Sequence, residues 1–211
     1  MIDMHDVLRC LAAQRPVFHS EADFQHALAW TLQTLNPDMQ IRLEYPLRAE
    51  DGSNARIHLD IRGEDSQHVC ALELKYKTRG PLEVEVAGEC YYLKNHSAQD
   101  YGRFDFLKDV QRLERAVANR PANRPANRGY AILLTNDHLY WTSPTQDVVD
   151  LQFRLHEGDA GQVLLGDRKA VLDGSERKVH LAGSYPICWQ EYSLLDAATY
   201  GRFRYLLVQV Q

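Results

Sequence analysis

Between Arg56 and Arg79 the chain carries two runs of strict alternation joined by a polar turn, and this stretch constrains the fold more than any other. Ile57, Leu59 and Ile61 alternate with His58, Asp60 and Arg62. After Glu64-Asp65-Ser66-Gln67-His68, Cys70, Leu72, Leu74 and Tyr76 alternate with Ala71, Glu73, Lys75 and Lys77. A period of two is that of a half-buried strand, so the stretch predicts an antiparallel hairpin.

Its register follows from the apolar pattern. With Asp60 opposite Glu73, Ile57 meets Tyr76, Leu59 meets Leu74 and Ile61 meets Leu72 on one apolar face. His58 then meets Lys75, and Arg62 meets Ala71, on the other. A slip of one residue would set Leu72 beside Asp60, so burial of one face selects this pairing. Residues directly opposed lie about 4.5–5.5 Å apart at Cβ, which brings two carboxylates and an ammonium onto one patch. Two carboxylates about 4 Å apart repel by roughly 4 kcal/mol at an effective dielectric near 20. Lys75 offsets part of this, and a divalent cation would offset the rest. Hard carboxylate oxygens favour Mg²⁺ or Mn²⁺.

Asp60, followed by Glu73-Leu74-Lys75 on the next strand, resembles the metal site of the PD-(D/E)XK nuclease superfamily, which includes restriction endonucleases, Holliday-junction resolvases and DNA-repair nucleases. Leu59 stands where a proline often precedes the acid. The resemblance covers residues 18–141 and implies an α/β, restriction-endonuclease-like core, a mixed β-sheet flanked by helices. It further implies Asp60, Glu73 and the Leu74 carbonyl as ligands of Mg²⁺ or Mn²⁺, with Lys75 as the cation beside them. Members often add an acid from the first core helix, which points to Glu21, with Glu44 in reserve. The implied activity is metal-dependent phosphodiester hydrolysis of nucleic acid, a DNA endonuclease, and a homodimer stays open as its assembly.

An acid-x-Lys triplet alone is a weak signal. Asp167-Arg168-Lys169 and Glu176-Arg177-Lys178 match it too. Both read as polar, Gly-flanked turn sequence without an alternating strand, so Glu73–Lys75 is the triplet with a site around it.

Upstream, Ile2, Val7, Leu8, Leu11 and Ala12 fit one face of a short helix ending before Pro16. Ser20 and Asp23 form a capping box opening a second helix, with Phe24, Ala27, Leu28, Leu32 and Leu35 as its buried stripe and Asn36-Pro37-Asp38 as its stop. Glu21 then sits in the first turn, where the helix dipole alone favours an acid by under about 1 kcal/mol. Met39 to Leu47 alternates as a strand, with Glu44 opposite its apolar residues. Pro81 to Tyr92 reads as irregular or edge structure.

Tyr101 to Asn119 is a helix with Phe104, Leu107, Val110, Leu113 and Val117 on one stripe. Lys108, Arg112 and Arg115, interspersed with Asp105, Asp109 and Glu114, read as a solvated, salt-bridged face. An Ala-Asn-Arg-Pro repeat from Ala118 to Arg128 precedes a buried strand, Tyr130–Asn136, so helix, loop and strand fit a crossover connection. Beyond residue 141, short strand-like runs at 151–155, 163–165, 170–172 and 203–210 predict a C-terminal β-rich appendage, residues 142–211, on the 1–141 core. Trp189, Tyr192, Tyr200 and Tyr205 read as packing for a small sheet.

With a net charge of −5, the 211-residue chain is no general nucleic-acid binder, and DNA would be met through local patches. Four cysteines lack paired or zinc spacing, as expected of a reducing cytoplasm. No secretory signal and no membrane-spanning run is evident. Two readings outside catalysis stand beside the nuclease: an inactive binding module of the same fold, and an unrelated structural or interaction domain.

Overall fold

In the computed structural model, residues 3–47, 57–66, 68–118, 128–157, 162–196 and 199–211 are described, apart from the side chains of Ile57 and His58. Helices α1 (Met4–Gln14) and α2 (Glu21–Leu35) precede strands β1 (Gln40–Leu47), β2 (Ile57–Glu64) and β3 (Val69–Lys77). A small hairpin, β4 (Leu82–Val86) and β5 (Glu89–Leu93), leads into α3 (Gln99–Ala118) and β6 (Arg128–Thr135). The chain ends in β7 (Val163–Leu172), β8 (Ser175–Pro186), β9 (Trp189–Leu194) and β10 (Arg202–Val210).

Six strands form one mixed sheet in the order β1-β2-β3-β6-β10-β9. Only β3 and β6 run parallel, and α3 makes the crossover between them, as the helix–loop–strand pattern predicts. Two apolar layers result. On one face Leu72, Leu74, Tyr76, Ile132 and Leu134 pack against Val7, Leu8, Leu11, Phe24, Leu28 and Leu32 of α1 and α2. On the other, Ala71, Ala131, Leu133 and Leu206 meet Phe106, Leu107, Val110 and Leu113 of α3.

Within the first layer the α2 stripe runs shorter than predicted. Phe24, Leu28 and Leu32 are buried, but Leu35 is half exposed at the helix end. Ser20 caps α2 by accepting from the Asp23 amide at 3.1 Å. The return half of the capping box is different. Asp23 Oδ2 accepts from the amide of His19, not Ser20, at 3.0 Å, and both its oxygens take Arg15 Nη2 at 2.9 Å.

The β2–β3 register agrees with the sequence where the strands pair: Ile61 with Leu72, Arg62 with Ala71, Gly63 with Cys70 and Glu64 with Val69. Toward Asp60 the strands part. β1 pairs with β2 at Leu43–Ile61 and Tyr45–Leu59, skipping Glu44 and Asp60, and Glu44 sits at φ 50°. This left-handed residue reverses the outlook of both strands. Leu43 and Ile61 pack on the α1–α2 side, whereas Tyr45, Leu47 and Leu59 pack on the α3 side. The expected pairing of Asp60 with Glu73 and the contact of Leu59 with Leu74 are therefore not made, because the strands part at Ile61 and Leu74 stays in the α1–α2 layer. The contacts expected of the Ile57 and His58 side chains lie outside the described residues.

The edge segment is better ordered than its sequence suggested. β4 and β5 form a regular hairpin about Ala87 and Gly88, at φ 53° and 82°, and Leu82, Val84, Tyr91 and Leu93 are buried. Left-handed values at both central residues match the right-handed twist of the flanking strands.

The C-terminal third divides in two. β7 and β8 form a long hairpin against α3, where Glu114 accepts from the Ala182 and Gly183 amides and from the Tyr185 hydroxyl. β9 and β10 instead complete the main sheet, with β10 antiparallel to β6. The sheet thus crosses the boundary expected at residue 141. Residues 151–153, read as strand, form a single 3-10 turn. Trp189, Tyr192 and Tyr205 are buried, as packing predicts. Arg120 and Arg124 of the repeat lie outside the described residues, and Arg128 opens β6.

A candidate active site in a forked sheet

Because β2 leaves β3 beyond Ile61, the β3 amides that would have pointed at β2 need other acceptors, since a buried unpaired N–H is costly. Side chains supply them. The amide of Leu74 donates to Asp60 Oδ2 at 2.6 Å. The amide of Tyr76 donates to Glu21 Oε2 at 2.8 Å, and that of Thr78 to His96 Nδ1 at 2.9 Å. Asp60 and Glu21, from distant parts of the sequence, are thus fixed side by side along one strand edge. Glu21 does more than complement a helix dipole: it binds the strand beside the motif.

Glu44 is also at the fork. Gln25, buried on α2, donates through Nε2 to Glu44 Oε1 at 2.8 Å and to the Asp60 carbonyl at 2.7 Å. The reserve acid and the first motif acid are held by one amide.

Glu73 and Lys75 point from β3 toward α3, and α3 answers with charge. Arg112 Nη1 lies 2.7 Å from Glu73 Oε2 and 3.2 Å from Asp109 Oδ1. Lys75 Nζ lies 2.8 Å from Asp109 Oδ2 and donates to the Leu74 carbonyl at 3.1 Å. Asp109 and Glu73 are 3% and 1% exposed, so this side of α3 is no solvated face. Sequence reasoning missed both Asp109 and Arg112. Their spacing of three does place them on one side of a helix, but they fall beside, not on, its apolar stripe.

Burial sets the electrostatics. It raises the pKa of Asp60, against the Leu74 amide and Lys75, which favour the anion. It raises that of Asp109 in the same way, against Lys75 and Arg112. In Glu73, burial and the neighbouring Asp109 charge outweigh Arg112 and push the carboxyl up to about 8. Burial works against the Lys75 charge too, but Asp109, Glu21 and Asp60 prevail and hold the ammonium well above its ordinary value. The cluster therefore has more acid than its two cations satisfy.

Among the described residues, no three His, Cys, Asp or Glu side chains are gathered as a ready-made metal cage. Lys75 and Arg112 occupy Glu73 and Asp109, while Asp60 and Glu21 each turn one oxygen to β3. What remains is of the donor type that a hard divalent cation takes. Glu73 Oε1 is buried with no hydrogen-bond partner. Asp60 and Glu21 each keep a second oxygen without a partner among the described residues, and all these donors are oxygens.

The two other triplets are not in turns, as expected, but on β7 and β8. Both strands are interrupted by glycine and polar residues, which hid their alternation. Burial separates them from Glu73 instead: the Asp167 and Glu176 side chains are 90% and 47% exposed. All four cysteines are free, and Cys70 is buried as expected. No helix among the described residues is long and apolar enough to cross a membrane. No family model matches the chain, and no curated protein or solved structure shows significant similarity to it.

Proposed function

We propose that the forked sheet is the active site of a PD-(D/E)XK-type nuclease, a metal-dependent phosphodiesterase acting on DNA as an endonuclease. One observation carries the reading. A buried carboxylate oxygen, Glu73 Oε1, has no partner on the central strand, beside Asp60 and two residues before a strongly held lysine. Buried polar atoms are as a rule satisfied. Of the other unpartnered ones among the described residues, all but one are nitrogens of Arg or His, so a carboxylate oxygen left bare in an acidic cluster supports a missing cation.

Asp60, Glu73, Glu21 and the Leu74 carbonyl would hold Mg²⁺ or Mn²⁺. When bound, such an ion acidifies a water and neutralises charge on the phosphoryl group. The chain's own residues position the rest. Lys75, kept protonated by Asp109, acts as a hydrogen-bond donor to the attacking water or the phosphate, not as a base. Asp109 fixes that ammonium, and Arg112 fixes Glu73. Gln25 and the two β3 amides hold the remaining acids in place, so little reorganisation is left for the reaction.

Plasmid DNA with Mg²⁺ or Mn²⁺ should be nicked by the parent protein, and not in EDTA or by Asp60→Ala. Cleavage that persists in EDTA refutes the proposal. A second reading, a nuclease-fold binding module without turnover, is favoured by the pairing of Lys75 and Arg112 with Asp109 and Glu73. It predicts DNA binding without Mn²⁺ uptake, which calorimetric titration separates.

A further inference from the structure

The fork has a third member that the nuclease reading does not use. His96 follows Asp60 and Glu21 along β3, and two lysines act on it beside Glu21. The Thr78 amide donates to His96 Nδ1 at 2.9 Å, and the His96 amide donates back to the Thr78 carbonyl at 2.7 Å. Thr78 Oγ1 donates to the Lys94 carbonyl at 2.7 Å, so the 94–96 loop is tied to the strand end at three points. An amide N–H only donates, hence Nδ1 accepts and the ring proton rests on Nε2. Backbone geometry thus presents a neutral, fixed Nε2–H on an exposed side chain.

Two lysines flank this contact: Lys77 precedes Thr78 on β3, and the Lys94 carbonyl accepts from Thr78 Oγ1. After burial, the charges of Lys77 and Lys94 are what hold the His96 ring below its ordinary pKa, with Glu21 acting in the opposite direction. Neither lysine is paired with a carboxylate among the described residues, whereas Lys75, Arg79 and Arg112 all are. Lys77 shares a face of β3 with Glu73 and Lys75, about 6.6 Å beyond Lys75 at the usual rise per residue.

We infer that Lys77, Lys94 and the His96 Nε2–H form a subsite for a backbone phosphate of the nucleic-acid strand, next to the one cleaved. The inference rests on the nuclease reading and gives its substrate a direction: the strand leaves the acids toward the Thr78 end of β3.

The test is binding of fluorescein-labelled single-stranded and duplex DNA to the full chain in EDTA, followed by anisotropy across a KCl series. Lys77→Ala and Lys94→Ala should each lower the slope of log K against log salt by about one. His96→Asn keeps an acceptor for the Thr78 amide but has no Nε2–H. It should melt with the parent and bind about tenfold more weakly, as for a lost hydrogen bond to a charged group. Arg42→Ala, an exposed arginine on the edge strand β1, is the control for general charge. If parent and lysine variants bind with the same slope, or the control lowers it as much, the subsite is wrong while the nuclease reading stands. A parent that takes up Mn²⁺ but binds no DNA also overturns the subsite. A parent that does neither overturns both.

Discussion

Replacing Glu73 by Gln should make the metal-free protein more stable while abolishing its activity. Its carboxyl ordinarily titrates at 4.5 and is pushed up to about 8 in the fold, by burial first and then by Asp109. A carboxyl with a raised pKa favours the folded state only while protonated. Its contribution is therefore complete below 4.5 and is lost progressively as pH rises to about 8. Each pH unit is worth about 1.4 kcal/mol, so from 4.5 to pH 7 the loss reaches about 3 kcal/mol at most. Gln is isosteric, still accepts from Arg112 and has no charge to desolvate. In a chain of this size about 3 kcal/mol corresponds to roughly 6–12 °C in Tm. Thermal and urea melts in EDTA from pH 4 to 8.5 should show the two proteins equal at the acid end and diverging above it. Added Mn²⁺ should then stabilise the parent and leave Glu73→Gln unmoved. A variant no more stable than the parent at pH 7–8, or a difference independent of pH, would refute the burial of an uncompensated acid at this site.

Glu21→Gln should retain the parent's Tm and lose Mn²⁺ affinity, whereas Asp23→Ala should cost about 1 kcal/mol through its lost bonds to the His19 amide and Arg15 and leave Mn²⁺ affinity unchanged; calorimetry and melts on both decide it. Asp167→Ala and Glu176→Ala should cleave plasmid like the parent, and Lys75→Ala should not; equal losses would unseat Glu73–Lys75 as the motif. Gly102→Ala drives a Cβ into the Tyr140 hydroxyl, which should destabilise by about 1–3 kcal/mol in a urea melt. Burial pushes the Cys70 thiol up to about 11, so at pH 8 a thiol reagent should label the exposed Cys90 and Cys188 quickly and Cys70 only on unfolding.

What could be read from the sequence was whatever alternation and capping carry. The hairpin register from Ile61 to Glu64, the crossover through α3 and the central position of β6 all follow from local patterns that tertiary packing leaves unchanged. The fork did not. A left-handed Glu44 has no sequence signature comparable to Asn or Gly, and the separation of β2 from β3 shows only in which side chains reach the β3 amides. For the same reason Glu21 was legible as an acid near the site but its contact with the Tyr76 amide was not. Asp109 and Arg112 were hidden because charge on a helix ordinarily faces water. Only the sheet on one side and the β7–β8 hairpin on the other bury this part of α3. β10 was visible as a strand, yet nothing local told it to join β6 rather than the hairpin beside it.

The side chains that cover the β3 edge have a second effect, on association between molecules. A strand with a row of unpaired amides templates the addition of another strand, and proteins commonly blunt such edges with charge. Here the row at Leu74, Tyr76 and Thr78 opens inside the fork, with Asp60, Glu21 and His96 seated on it. The acids that would serve the nuclease thus also deny the gap to a foreign β-segment. Alanine at two of these positions at once would leave consecutive amides bare between two splayed strands, a slot for self-addition into oligomers. Inactive variants made in this way would then fail by aggregation as well as by chemistry, whereas Asn or Gln at the same positions would keep the slot closed.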